Sequence, residues 1–176
     1  MLYLELFFQG IVQGSIYALI ALGLTLVYGL LRILHVAHAA LFTLGGYLGV
    51  IVTNATGSFL LATAVAMIVV GFVGIAVYKL AYEPLLSKPP FISLIASIAL
   101  FIASEEIFRI IFGPYGLSYT NPPMQGYFEL FGGFFLKYGE ALVIVLSVVM
   151  LVILGWFAAT TRLGVSWRAM ATDPAL

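Results

Sequence analysis

Glu105, Glu106 and Arg109 are the residues of this 176-residue chain with the clearest chemical potential, because they interrupt an apolar stretch running from Phe91 to Phe112. A charge in hydrocarbon costs on the order of 3 kcal/mol, so an ionisable side chain there needs a partner, a water-filled cavity or a ligand. Glu105 and Arg109 are four apart and share a helical face, which suits an internal ion pair. The other reading is that the group reaches the outer interface beside Gly113-Pro114 and is solvated there. His35 and His38 form a second group. Three apart, they lie on one side of a helix, a spacing that metal sites use. Such a site also needs a third ligand and a second shell. The chain has no cysteine, no HExxH and no carboxylate near the pair, so no metal is expected. The histidines fit either a polar helix break at a membrane boundary or the lining of a solute path.

No catalytic apparatus accompanies these residues. There is no GxxxxGK[ST] phosphate loop and no GxSxG elbow, so the chain does not read as an enzyme and has no such device for ATP. The formal net charge is zero, which argues against nucleic acid, a ligand that demands a basic patch.

The elements that must position these groups are membrane spans. Hydrophobic residues make up 64% of the chain and charged residues 8%, against roughly 25% charged in soluble domains. From Leu6 to Leu31 there is no Asp, Glu, Lys or Arg, and about 20 apolar residues suffice to cross a bilayer core of roughly 30 Å. Five spans are expected: Leu6–Leu31, Val36–Thr53, Phe59–Tyr78, Phe91–Phe112 and Tyr138–Ala159. Asn54–Ser58 is a tight turn, Glu83–Pro90 a proline-punctuated loop, and Gly113–Lys137 an ordered loop with a short interfacial piece over Phe128–Leu136. The fold class is therefore all-α, a polytopic transmembrane helix bundle in a lipid bilayer. With the N-terminus outside and the C-terminal segment cytoplasmic, Arg32, Lys79, Lys88, Arg162 and Arg168 fall inside, against Arg109 and Lys137 outside, as the positive-inside rule favours. Gly10 with Gly14, and Gly45 with Gly49, are spacings that let helices approach closely. Ser15, Thr25, Ser93, Ser97 and Ser104 can bond to their own helix or to a neighbour. After the fifth span, Ser166–Ala171 suits a short amphipathic helix, and Thr172-Asp173-Pro174 reads as a helix start.

Segments spread along the chain resemble one family. Gly14-Ser15-Ile16-Tyr17-Ala18-Leu19 through Leu26-Val27-Tyr28-Gly29 is similar to the opening of the branched-chain amino acid ABC transporter permeases, the LivH-type inner-membrane subunits. Arg32-Ile33-Leu34-His35-Val36-Ala37-His38 through Gly45-Gly46-Tyr47 resembles that family's "NFAHG…GAY" region. Tyr82-Glu83-Pro84-Leu85 with Pro89-Pro90, Gly113-Pro114, Thr161-Arg162-Leu163-Gly164 and Arg168–Pro174 follow in the family's order. Departures occur at His35, where the family usually has Asn, at Ala39-Ala40, where it often has Gly-Glu, and at Glu105 and Glu106, where it is commonly apolar or amide.

The resemblance implies a bundle of the larger ABC-importer type and alternating access driven by ATP on partner chains. Residues 1–176 would be the N-terminal part of a single transmembrane permease domain, with 160–176 starting its cytoplasmic coupling segment. The implied solutes are branched-chain amino acids or related small polar molecules, with urea or short amides as an alternative. A secondary transporter independent of ATPases is the rival of a different class. The implied partners are cytoplasmic ATPase subunits carrying ATP and magnesium, a sister permease or second copy, and an extracytoplasmic solute-binding protein in a prokaryotic inner membrane. No cofactor is expected on this chain. His35, His38 and Glu105 are the expected path residues; Arg162, Gly164, Arg168, Asp173 and Pro174 are the expected ATPase-coupling residues.

Overall fold

The computed structural model describes residues 2–31, 34–130, 134–161 and 164. The elements are α1 (Leu2–Leu31), α2 (His38–Thr56), α3 (Phe59–Val77), a π-helical turn (Tyr78–Tyr82) running into a 3-10 turn (Glu83–Leu85), α4 (Pro90–Phe112), β1 (Tyr127–Leu130), β2 (Phe134–Lys137) and α5 (Tyr138–Thr160). Among the described residues five helices are long and apolar enough to cross a membrane, so the chain is a multi-pass helical membrane protein.

The exposure pattern is that of a protein whose solvent is lipid. The buried apolar residues are small or aromatic, Ala37, Ala40, Ala62 and Tyr82, while large ones such as Leu60 and Ile110 point outward. Small polar residues lie inside instead: Thr53, Ser93, Ser97 and Ser147 are buried. Lipid tails are as apolar as leucine, so large side chains gain little by turning inward, and interhelical packing falls to small residues and hydrogen bonds.

Two compact units emerge. In one, α1 packs along α5, and β1 and β2 pair antiparallel with Phe128 opposite Leu136. The interfacial piece expected over Phe128–Leu136 is thus a two-stranded hairpin, the one departure from an all-helical chain among the described residues. Its paired strands satisfy backbone groups that a loose loop would leave open. Aromatic contacts hold it, Tyr127 on Phe135 at 4.7 Å and Phe128 on Tyr138 at 4.6 Å between ring centroids. Glu140 starts α5 by accepting a 3.2 Å hydrogen bond from the Lys137 N–H.

The other unit contains α2, α3, α4 and the loop to Pro123. The α2–α3 hairpin is tight as expected, but α2 runs past Asn54 to Thr56 and stops at Gly57, whose φ of 71° places it in the left-handed region. Ser58 then caps α3, its hydroxyl accepting from the Leu61 N–H. Gly45 faces α3, where a Cβ would make an ordinary contact with Val70 at 3.7 Å, whereas Gly10 and Gly14 have nothing within 4 Å. Helicity also outlasts the expected end of the third span. The π turn widens the helix at Tyr78–Tyr82, and Pro84 sits in the first turn of the following 3-10 segment, where its missing N–H costs nothing. Pro90 opens α4 in the same way. Ser15, Thr25 and Ser104 bond back to Ile11, Ala21 and Leu100 on their own helices.

Asn54 fastens the loop after α4. Its Nδ2 donates to the Ser118 carbonyl at 3.0 Å and its Oδ1 accepts from the Thr120 N–H at 2.9 Å. Asn54→Ala removes both bonds at once. Limited proteolysis of the purified protein should then cut between residues 114 and 123 at least several-fold faster; an unchanged cleavage rate would show that the loop is held by other means.

Candidate functional site

The α2–α3–α4 unit carries two polar stations on one seam. Ala37, just before α2, meets Ser97 of α4, while Tyr47 further along α2 meets Phe108 of α4. The two helices therefore run parallel, as second and fourth spans of an up-and-down chain must.

The first station lies where both helices begin. The His35 Nδ1 and the Tyr82 hydroxyl share a 2.6 Å hydrogen bond, their rings edge to face at 5.1 Å. The Ala37 N–H donates to Ser97 Oγ at 3.1 Å. His35 is 7% exposed and Ser97 0%. Each element supplies what the others lack. No side chain caps α2, and its start is closed by 3-10-type bonds, His38 N–H to the His35 carbonyl and Ala39 N–H to Val36. The Ala37 donor would be orphaned inside the protein without Ser97. The π turn at the end of α3 carries the Tyr82 hydroxyl to the imidazole; such wide turns often mark functional positions. A polar helix break at the boundary is thus one of the two readings of the histidines that the geometry supports.

The second station is a half-open cavity of about 300 Å³ between α2 and α4, with Thr43, Tyr47, Phe101, Glu105, Phe108 and Arg109 on its walls and Gly113 and Pro114 at one end. Arg109 pairs with Glu106 at 3.2 Å, both about half exposed at 56% and 54%, and not with Glu105. Of the two readings of this group, the internal Glu105–Arg109 pair is not formed, and the exposure of Glu105, Glu106 and Arg109 accords with the solvated one. Three- and four-residue spacings both bring side chains together on a helix, so either carboxylate was within reach of Arg109. Tyr47 is fixed by stacking on Phe112, centroids 4.1 Å apart with rings 19° from parallel.

The three expected path residues do not share one pocket. His35 is locked in the first station, Glu105 faces the cavity, and His38 borders a separate apolar groove between α2 and α3 with Leu41, Gly45, Met67 and Val70. The histidine rings remain 6.1 Å apart. Among the described residues no group of three His, Cys, Asp or Glu could hold a metal ion. Of the expected coupling residues, Arg162, Arg168, Asp173 and Pro174 lie outside the described residues. Gly164 is buried, and its N–H donates to Thr161 Oγ1 at 3.0 Å. A Cβ on Gly164 would collide with the Phe157 carbonyl and the Ala158 backbone, so only glycine fits this close approach. Tyr82, Ser97, Asn54 and Tyr47 were not singled out as site residues from the sequence. The one available signal was a tyrosine just ahead of the Glu83-Pro84 punctuation, and nothing in the spacing pairs it with His35.

Fold and stations together define a polytopic helical membrane protein with ionisable side chains along the α2–α4 seam. The family described as "Branched-chain amino acid transport system / permease component" matches residues 6–176, and the chain belongs to it. It is 28% identical over 97% of its length to the high-affinity branched-chain amino acid transport system permease protein BraD of Pseudomonas aeruginosa, covering 60% of that protein. It is 26% identical, again over 97% of its length, to the corresponding permease protein LivH of Escherichia coli, covering 59%. The chain thus spans about three fifths of the length of these relatives. No solved structure matches it.

Outside the spans, burial and the neighbouring His38 hold the His35 imidazole below its ordinary pKa of 6.5. The fold keeps His35 neutral where an unfolded chain would protonate it, so its contribution to stability is complete above pH 6.5 and is lost as pH falls through the lowered value. Thermal unfolding in detergent should show Tm falling below pH 6.5, and His35→Gln, which can still bond Tyr82, should flatten that slope. An identical slope in the variant would place the titration elsewhere.

Proposed function

We propose that this chain forms part of the permease subunit of an ATP-driven importer for branched-chain amino acids or closely related small polar solutes. The observation that carries the reading is the family match across residues 6–176, together with five helices among the described residues that are long and apolar enough to cross a membrane. In this reading the N-terminus is outside and the end of α5 inside. The His35–Tyr82–Ser97 station then lies at the cytoplasmic side and the cavity of Glu105 opens outward. A solute-binding protein delivers from outside, and two ATPase subunits bind the cytoplasmic face of a permease pair, made of this chain with a sister subunit or a second copy.

Coupling would run through the segment after α5. Arg162, Arg168, Asp173 and Pro174 are the proposed contacts with the ATPase, and Gly164 the turn that aims them. The close approach of Gly164 to Phe157 and Ala158 at the end of α5, and its hydrogen bond to Thr161, support that role.

Two measurements test this reading. Uptake of labelled leucine by cells expressing the full system should survive depolarisation and vanish when the ATPase gene is deleted. Uptake that dies with depolarisation and ignores the ATPase would establish an ion-driven transporter instead. Gly164→Pro should uncouple ATP hydrolysis from uptake, lowering transport at least tenfold while the protein still inserts; normal coupled uptake would remove the coupling role from this segment.

A further inference from the structure

Glu105 lies seven residues before the end of α4, or about 10 Å along a helix at roughly 1.5 Å per residue. Its side chain is exposed and lines the half-open cavity together with Arg109. Among the described residues its carboxylate has no ion pair, because Arg109 pairs with Glu106. An unpaired carboxylate on a membrane helix calls for water or a ligand, and this cavity has room for either.

The cavity walls carry a full negative and a full positive charge beside an aromatic surface. Arg109 has five N–H donors in a planar fork, and the single contact to Glu106 leaves the others able to bind a carboxylate. Glu105 can accept from an ammonium. Thr43 donates its own hydroxyl proton to the Ala39 carbonyl at 3.0 Å, so its oxygen is left as an acceptor toward the cavity. Tyr47, Phe101 and Phe108 supply apolar area, with Tyr47 already immobilised on Phe112. About 300 Å³ is at the small end of ligand pockets. One turn below its Ala40 and Phe101 floor, the Ala37–Ser97 bond closes the seam.

We propose that this cavity is a receiving site for a zwitterionic α-amino acid, with Arg109 binding the carboxylate, Glu105 the ammonium, and Tyr47, Phe101 and Phe108 the apolar side chain. The assignment rests on the importer reading above and sharpens it. A neutral solute such as urea or a short amide would bring no ammonium to Glu105 and no carboxylate to the free donors of Arg109, so the cavity favours the zwitterion over it.

The test is initial-rate uptake of labelled leucine in cells expressing the complete system, with membrane levels of each variant matched by immunoblot. Glu105→Gln and Arg109→Gln should each lower uptake at least tenfold. Glu106→Gln, which breaks the surface pair and leaves the cavity charges in place, should stay within threefold of wild type. Phe101→Trp, which fills the cavity without touching a charge, should also abolish uptake and serves if a charge variant fails to reach the membrane. Wild-type leucine uptake that persists in Glu105→Gln, Arg109→Gln and Phe101→Trp overturns the site and leaves the importer reading standing. A wild type that carries urea and not leucine overturns both.

Discussion

Hydrocarbon offers no hydrogen bonds, and that constraint shapes every part of this molecule. Backbone groups inside a bilayer must be satisfied within the chain, which leaves helices as the economical choice for a segment crossing alone. The same constraint governs the side chains. Ser15, Thr25 and Ser104 turn back to carbonyls of their own helices, and Ser97 accepts the one N–H that α2 leaves uncapped. Large apolar residues face outward because lipid receives them as readily as a core would. The polar groups left over are few, and the helices collect them along the seam between α2 and α4.

Along that seam the structure sets two polar stations. Near the start of α2 and α4 a buried histidine, tyrosine and serine lock three segments together. Farther along, a carboxylate and a guanidinium share a cavity stiffened by a stack of aromatic rings. The two stations lie on parallel helices separated by about one turn at their nearest points. The π turn carrying Tyr82 differs in hydrogen-bond pattern from α3 before it and from the 3-10 turn after it.

Much of the architecture was legible in the sequence because membrane spans are written in composition. The charge-free run from Leu6 to Leu31 and Pro90 at a helix start translate directly into structure, and the turn expected over Asn54–Ser58 narrows to Gly57 and Ser58. Less legible were features created by long-range packing. Asn54 reads as a helix terminator by type, yet it lies within α2 and clamps a loop more than sixty residues away. Tyr82 looks like part of a loop, because the Pro84 that follows it signals a break, and a π turn absorbs the conflict. The histidines were visible as a pair, but only the fold separates them, one into a buried hydrogen bond and the other onto an apolar groove. Glu105 and Glu106 are neighbours with opposite fates, one toward the cavity and one toward an exposed ion pair. Helical spacing alone allows Arg109 to choose either.

The proposed function depends most on the loops before and after α4 lying at opposite faces of the membrane, and a chain without cysteine is well suited to asking. Tyr115, in the loop after α4, is 99% exposed, and Ser87 lies in the exposed turn before it. Tyr115→Cys and Ser87→Cys, each in the full-length protein, would be treated in intact spheroplasts with a membrane-impermeant maleimide. Labelling of Cys at 115 from outside, with position 87 reacting only after lysis, is the predicted result. Labelling of position 87 in intact spheroplasts with position 115 protected would invert the molecule and place the Glu105 cavity on the cytoplasmic side.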